Sequence, residues 1–120
     1  FLGSMYPVRD FIYITDAVNG IIKATDRAIG ETINLASGIG VQIGDLAETV
    51  IKLTGKEIEV VFDATRILLK TQSIQNLIGD ISKAKKLLGW QPELSLEEGL
   101  KLTIEWFSEH PELLQEKGFS

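Results

Sequence analysis

The chain has 120 residues, 44% hydrophobic and 24% charged, enough apolar mass for one core and enough charge to reject wholesale disorder. Its net charge is −5, with acidic residues spread along the chain, which argues against general nucleic-acid or anionic-membrane binding, both of which need a basic face. Cysteine is absent, removing disulfides and thiolate metal sites, and no apolar run reaches the roughly 18 residues of a membrane span.

Residues 1–5 read as a cloning remnant, because Gly3-Ser4-Met5 resembles a scar before an initiator methionine. Residues 11–14 (Phe-Ile-Tyr-Ile) are aromatic and β-branched and predict a short buried strand. Thr15 is then placed to cap a helix from about Asp16 to Ala28, with Ala17, Val18, Ile21, Ile22 and Ala28 on one stripe. Gly30 ends it, and residues 31–36 predict a second strand. After Ser37-Gly38-Ile39-Gly40 the pattern predicts a helix over about 44–54, with Ile43, Leu46, Ala47, Val50 and Ile51 on one face and Gly55 at its C′ position. Residues 57–62 alternate with period two and predict a half-buried strand, whereas 63–76 carry no period and read as loop. Asp80 is the expected cap of a helix to Leu88 that turns Ile81, Ala84, Leu87 and Leu88 inward and Lys83, Lys85 and Lys86 outward, with Gly89 closing it. Ser95-Leu96-Glu97-Glu98 forms a capping box for a helix to about Ser108, expected to bury Leu96, Leu100, Ile104 and Phe107. A short terminal helix around Leu113 and Leu114 follows Pro111. The order β-α-β-α-β-α-α, with no repeat or low-complexity segment, indicates an α/β class.

Two features suggest chemistry. Gly38-Ile39-Gly40-Val41-Gln42-Ile43-Gly44 lies between a predicted strand and a predicted helix, as a phosphate-binding loop would. Its spacing is G-x-G-x-x-x-G, β-branched residues stand where close backbone approach is needed, and Asp45 occupies the first helical turn. An ordinary turn fits these details better. Arg9, in the pair Arg9-Asp10, offers planar donors that match a diphosphate, against the alternative of a surface ion pair. His110 has no evident catalytic partner and reads as a solvated helix-end histidine; the three lysines read as a solvated face, and Trp90 and Trp106 as core or packing residues.

Three stretches in order carry a resemblance to a family. Arg9-Asp-Phe-Ile-Tyr-Ile-Thr-Asp16 is similar to the R-D-[FWY]-x-[YH]-[VI]-x-D segment of extended short-chain dehydrogenase/reductases. Gly30-Glu-Thr-Ile-Asn-Leu-Ala-Ser-Gly38 resembles their G-x-x-[YF]-N-[ILV]-[GA]-[ST]-G strand and turn. Asp80 to Pro92, followed by Ser95 to Leu100, resembles their D-x-S-K-A-x-x-x-L-G-[WY]-x-P…S-L-E-E-G-[LI] ending, so the likeness runs over residues 7–108. The branch it points to is the NAD-dependent nucleotide-sugar epimerases and dehydratases.

The resemblance implies the C-terminal part of such an enzyme: a partial Rossmann edge (strand-helix-strand) over 6–37 and a small α/β substrate-binding domain over 38–120, together one compact unit. In the intact enzymes NAD accepts hydride from the sugar C4 while a tyrosine takes the proton. The cofactor loop G-x-x-G-x-x-G is not formed by any of the eleven glycines here, and the pair Tyr-x-x-x-Lys is missing, because Asp10 follows Tyr6 and Ala17 follows Tyr13 at position +4. No cofactor is therefore expected on this chain, and no catalysis by it alone. The resemblance gives Arg9 the role of holding the diphosphate of a nucleotide sugar of the UDP, dTDP or GDP type. A second phosphate-facing arginine expected before Asp80 is replaced by Ile67-Leu68-Leu69-Lys70, which leaves Arg66 or Lys70 to substitute. Leu68 and Leu69 put apolar surface where a polar loop is expected. Two other classes remain open: a stand-alone nucleotide-binding domain using Gly38–Gly44, and a ligand-free interaction module. A bare sheet edge and apolar face lead to an expected homo-oligomer, and the lack of a visible signal peptide to an expected cytoplasmic location.

Overall fold

The computed structural model describes residues 3–61 and 74–115. Among them the elements run β1 (Val8–Asp10), α1 (Ile14–Arg27), β2 (Gly40–Gln42), α2 (Ile43–Thr54), β3 (Asn76–Leu77), α3 (Ser82–Leu88), α4 (Leu96–Glu109) and α5 (Glu112–Gln115). The α/β class and the expected order stand, with the terminal helix as α5, but all three strands are made of other residues than the sequence suggests.

β1 is the middle strand of the sheet order β2-β1-β3. It runs antiparallel to β2, with Arg9 opposite Val41 and Asp10 opposite Gly40, and parallel to β3, with Arg9 opposite Leu77. The expected strand at 11–14 is not formed. The backbone leaves β1 at Asp10 and enters α1 at Ile14, with Tyr13, not Thr15, at the N-cap. Tertiary hydrogen bonds override the β propensity of these residues. The buried Asp16 carboxylate accepts from the amides of Glu93 (3.0 Å) and Leu94 (3.1 Å), and the Asp16 carbonyl accepts from Trp90 Nε1 at 2.9 Å. These bonds fix the first turn of α1 against the far end of the chain.

The alternation at 31–36 is present in burial but not in a ladder. Ile33 and Leu35 pack against the core while Glu31, Thr32 and Asn34 are exposed, and no described strand pairs with them. Period-two burial needs only an inner and an outer side, whereas a strand needs a partner's hydrogen bonds. Residues 57–61 likewise join no strand, and residue 62 lies outside the described residues.

The core centres on Ala84, Leu88 and Trp90, with Ile12, Ala24, Ala28, Ile33, Leu35 and Ile81 packed around them. α3 presents the inner face expected of it, although it starts at Ser82 and not at Asp80. Asp80 stays outside the helix, and its Oδ1 accepts from the Ser82 amide (2.9 Å) and hydroxyl (2.6 Å). At the other end of α3, Arg27 donates to the Leu88 carbonyl (3.1 Å) and Lys23 to that of Gly89 (3.4 Å), placing cations where the helix dipole favours them. Gly55 and Gly89 both take the left-handed conformation that ends α2 and α3.

α1 corrects the expected stripe. It turns small residues inward: a Cβ on Gly20 would lie 2.7 Å from the Leu35 side chain and 3.1 Å from Trp90 Nε1. Its branched residues Ile14 (66% exposed), Val18 (45%), Ile21 (59%) and Ile22 (60%) face outward. Close packing against Trp90 selects glycine and alanine for the inner face, so the larger aliphatics fall on the other side. α4 opens with the expected capping box, Glu98 N to Ser95 Oγ at 3.2 Å and Ser95 N to Glu98 Oε2 at 2.8 Å. Its last turns depart from expectation. Trp106 and Phe107 are exposed, pack edge to face at 5.1 Å, and Trp106 stacks on His110 at 4.2 Å. No described helix is long and apolar enough to cross a membrane.

Candidate functional site

Arg9 is held on the central strand, with ladder partners on both sides fixing its backbone. Its Nη1 donates to the Val8 carbonyl at 2.8 Å, and it makes no ion pair among the described residues. The surface ion pair weighed from the sequence is therefore not formed there. A guanidinium carries five N–H donors in a plane, so this one bond leaves most of the fork without a described acceptor.

The residue opens on a groove of ≈ 600 Å³. One wall is the segment Ile33, Asn34, Leu35 and Ala36, and the other is Leu77, Ile78, Gly79 and Asp80. The groove is thus bounded by two segments that are remote in sequence and meet beside β1.

Asp10 joins them. Its Oδ1 accepts from the Ser37 amide (2.7 Å) and the Ser37 hydroxyl (2.6 Å), while Oδ2 accepts from the amides of Gly38 (2.9 Å) and Gly79 (3.1 Å). Partial burial raises the carboxyl pKa, but these hydrogen bonds outweigh it and hold the group below its ordinary value. Two glycines make the arrangement possible. Gly38 has φ +77°, and a Cβ on Gly79 would lie 2.3 Å from the Ala36 Cβ. Asp80 also borders the groove, and the Ser82 hydroxyl and amide lower its pKa against a slight desolvation. Neither carboxylate competes for Arg9 among the described contacts.

The Gly38–Gly44 turn does not form a phosphate loop. Residues 40–42 are strand β2, and the space above Gly40 is filled by Val8 and Ile78, which a Cβ there would meet at 2.5 and 2.6 Å. The amides that would face a phosphate are already used: Gly38 donates to Asp10, Ile39 to Ser37 Oγ (3.0 Å), Ile43 to the Pro7 carbonyl (3.1 Å) and Gly44 to that of Met5 (2.9 Å). These named amides are thus bonded within the chain and do not stand open to a pyrophosphate.

Of the three residues expected to bind substrate, Arg9 lies in the groove, while Arg66 and Lys70 fall outside the described residues, as do Leu68 and Leu69. His110 is half-buried, its Nδ1 2.7 Å from the Trp106 carbonyl, and stands apart from the groove. Lys83 pairs with Glu31 at 2.6 Å. Sequence reasoning missed the central part of Asp10, because its partner Gly79 is 69 positions away and no local pattern links the two.

Residues 1–103 match the family model described as GDP-mannose 4,6 dehydratase. The chain is 38% identical over 114 residues to the UDP-glucuronate 4-epimerase of Thermodesulfobacterium geofontis, an overlap of 94% of this chain and 34% of that protein. Among solved structures it is similar to the UDP-glucose 4-epimerase of Thermotoga maritima with UDP-glucose, at a TM-score of 0.83 and 33% identity, covering 92% of this chain and 35% of the other. The UDP-glucuronic acid 4-epimerase of Bacillus cereus in complex with NAD gives a TM-score of 0.75 and 28% identity, over 92% and 34% of the two chains. The chain therefore spans 34–35% of the length of these relatives.

Proposed function

We propose, for a chain that belongs to the GDP-mannose 4,6 dehydratase family of nucleotide-sugar epimerases and dehydratases, that it supplies the diphosphate grip of a nucleotide-sugar site. The observation that carries this is Arg9: strand-held, tethered by one hydrogen bond among the described residues, free of any described carboxylate, and open to the groove between residues 33–36 and 77–80. The ligand class is a nucleoside diphosphate sugar of the UDP, dTDP or GDP type. Arg66 and Lys70 are the proposed second cations, supported by their place in the sequence before Asp80. Residues 6–37 would be the end of a Rossmann-like domain and 38–120 the substrate domain, joined through β1 of the sheet. The chain alone would not catalyse epimerisation or dehydration, since it carries neither the family's cofactor loop nor its Tyr-x-x-x-Lys pair.

Isothermal titration of the chain with UDP, dTDP and GDP, with NAD as control, tests the proposal. Saturable binding of one diphosphate, weakened about tenfold or more in Arg9→Ala as a charged hydrogen-bonded contact is lost, is the expected outcome. Binding unaffected by Arg9→Ala, or binding of NAD alone, would refute it.

A second reading concerns assembly. Ile14, Val18, Ile21 and Ile22 make an uncharged stripe along α1 that no other described element covers, and such a stripe is self-complementary about a two-fold axis. The chain would then self-associate through α1. Light scattering should show a dimer that Ile21→Glu converts to monomer; a monomeric mass for the parent at all concentrations would end this reading.

A further inference from the structure

We propose that Asp10 is a positioning residue for the anion grip: it pins the two walls of the Arg9 groove to each other. The inference rests on the diphosphate reading given above and assigns a role to the neighbour of its central residue.

Asp10 follows Arg9 directly on β1, where the pleat turns consecutive side chains to opposite faces. Both of its oxygens are engaged. Oδ1 takes two donors from Ser37, and Oδ2 takes the amides of Gly38 and Gly79. Bonds to an ionised acceptor are short and stronger than neutral ones, and four of them hold the carboxylate in place. The same four bonds tie the end of one wall, at Ser37 and Gly38, to the other at Gly79. The groove width beside Arg9 is thereby set by one carboxylate. The backbone is shaped for this, since the Cβ that Gly79 lacks would collide with Ala36 in the opposite wall.

An amide in place of the carboxylate tests the claim sharply. Asp10→Asn keeps one acceptor oxygen but turns an NH2 toward amide donors, so it can serve Ser37 or the two glycines, not both. Ser37→Ala is the milder variant, removing only the 2.6 Å hydroxyl donor. UDP affinity is measured by titration for the parent, Asp10→Asn, Ser37→Ala, Arg9→Lys and the double variant Arg9→Lys/Asp10→Asn, each well below its own unfolding temperature.

If Asp10 acts through Arg9, Asp10→Asn weakens binding about tenfold and Ser37→Ala about threefold, while Asp10→Asn adds little once Arg9 is lysine. A purely structural role would give the same loss in both backgrounds, and that outcome, or unchanged affinity in Asp10→Asn and Ser37→Ala, overturns the proposal. Should Asp10→Asn fail to fold, Ser37→Ala in the two Arg9 backgrounds decides the matter alone. Failure of the underlying reading looks different: the parent would not bind UDP, dTDP or GDP, or Arg9→Lys would bind as the parent does.

Discussion

Gly79→Ala is the most informative single substitution for the architecture of the groove. The added Cβ would stand 2.3 Å from the Ala36 Cβ, 3.6 Å from Asp10 Oδ2 and 3.8 Å from the Ala36 Cα. Carbon atoms settle about 3.5–4.0 Å apart, so the two walls must separate by more than an ångström. Neither carbon is the end of a flexible side chain, and the strain falls on the backbone. Overpacking of this kind costs about 1–3 kcal/mol, and weakening the 3.1 Å bond from the Gly79 amide to Asp10 adds about 1–2 kcal/mol. The two effects share atoms and are not additive, so about 3 kcal/mol is expected. For a chain of this size that lowers Tm by about 12 °C. Thermal unfolding followed by circular dichroism reads it directly. Ala36→Gly removes the opposing Cβ and costs less than about 1 kcal/mol by itself, so the double variant should recover much of the loss. A Gly79→Ala protein melting within about 2 °C of the parent, or a double variant no better than the single one, would refute the argument.

Other expectations follow from the same contacts. Asp16→Ala strips the partner from the amides of Glu93 and Leu94 and should destabilise the fold by about 2–4 kcal/mol in urea titration; a loss below about 0.5 kcal/mol would show that water replaces the carboxylate. Ser95→Ala breaks the capping box of α4 and should cost about 1 kcal/mol, measured in the same way. The pH dependence has a definite sign. Asp10, Asp80 and Glu98 have folded pKa values below their ordinary ones, so the unfolded chain binds more protons in acid. Their stabilisation is complete above about pH 5 and is lost as pH falls through about 4 and below. Tm should be level from pH 5 to 7 and drop in acid, less steeply in Asp10→Asn; a Tm that rises on acidification would contradict the assignment.

Features with a local cause were readable in the amino-acid pattern. The capping box needs only Ser95 and Glu98, the stops at Gly55 and Gly89 need only a left-handed residue, and the inner face of α3 follows from helical spacing. The strands were not readable, because two or three residues leave no room for a period. Their pairing depends on where the chain returns: β1 reaches across to residues 40–42 and 76–77. The outward stripe of α1 was hidden for a different reason. Periodicity locates an apolar side but cannot tell whether the core takes the large residues or, as beside Trp90, the small ones. At the groove, the chemistry of Arg9 alone leaves a surface ion pair open and its diphosphate role rests on the R-D-[FWY] resemblance, whereas Asp10 gains its meaning from Ser37 and Gly79, which only folding brings to it.

The central claim, that the groove at Arg9 takes a nucleoside diphosphate, is tested most directly by backbone amide NMR during titration with UDP, dTDP and GDP. One of these should move the resonances of Arg9, Asn34, Ala36 and Gly79 together, in a saturable way, and leave the amides of Ile43 and Gly44 at the start of α2 in place. Shifts confined to residues 38–44, or no saturable shifts with any of the three, would contradict it.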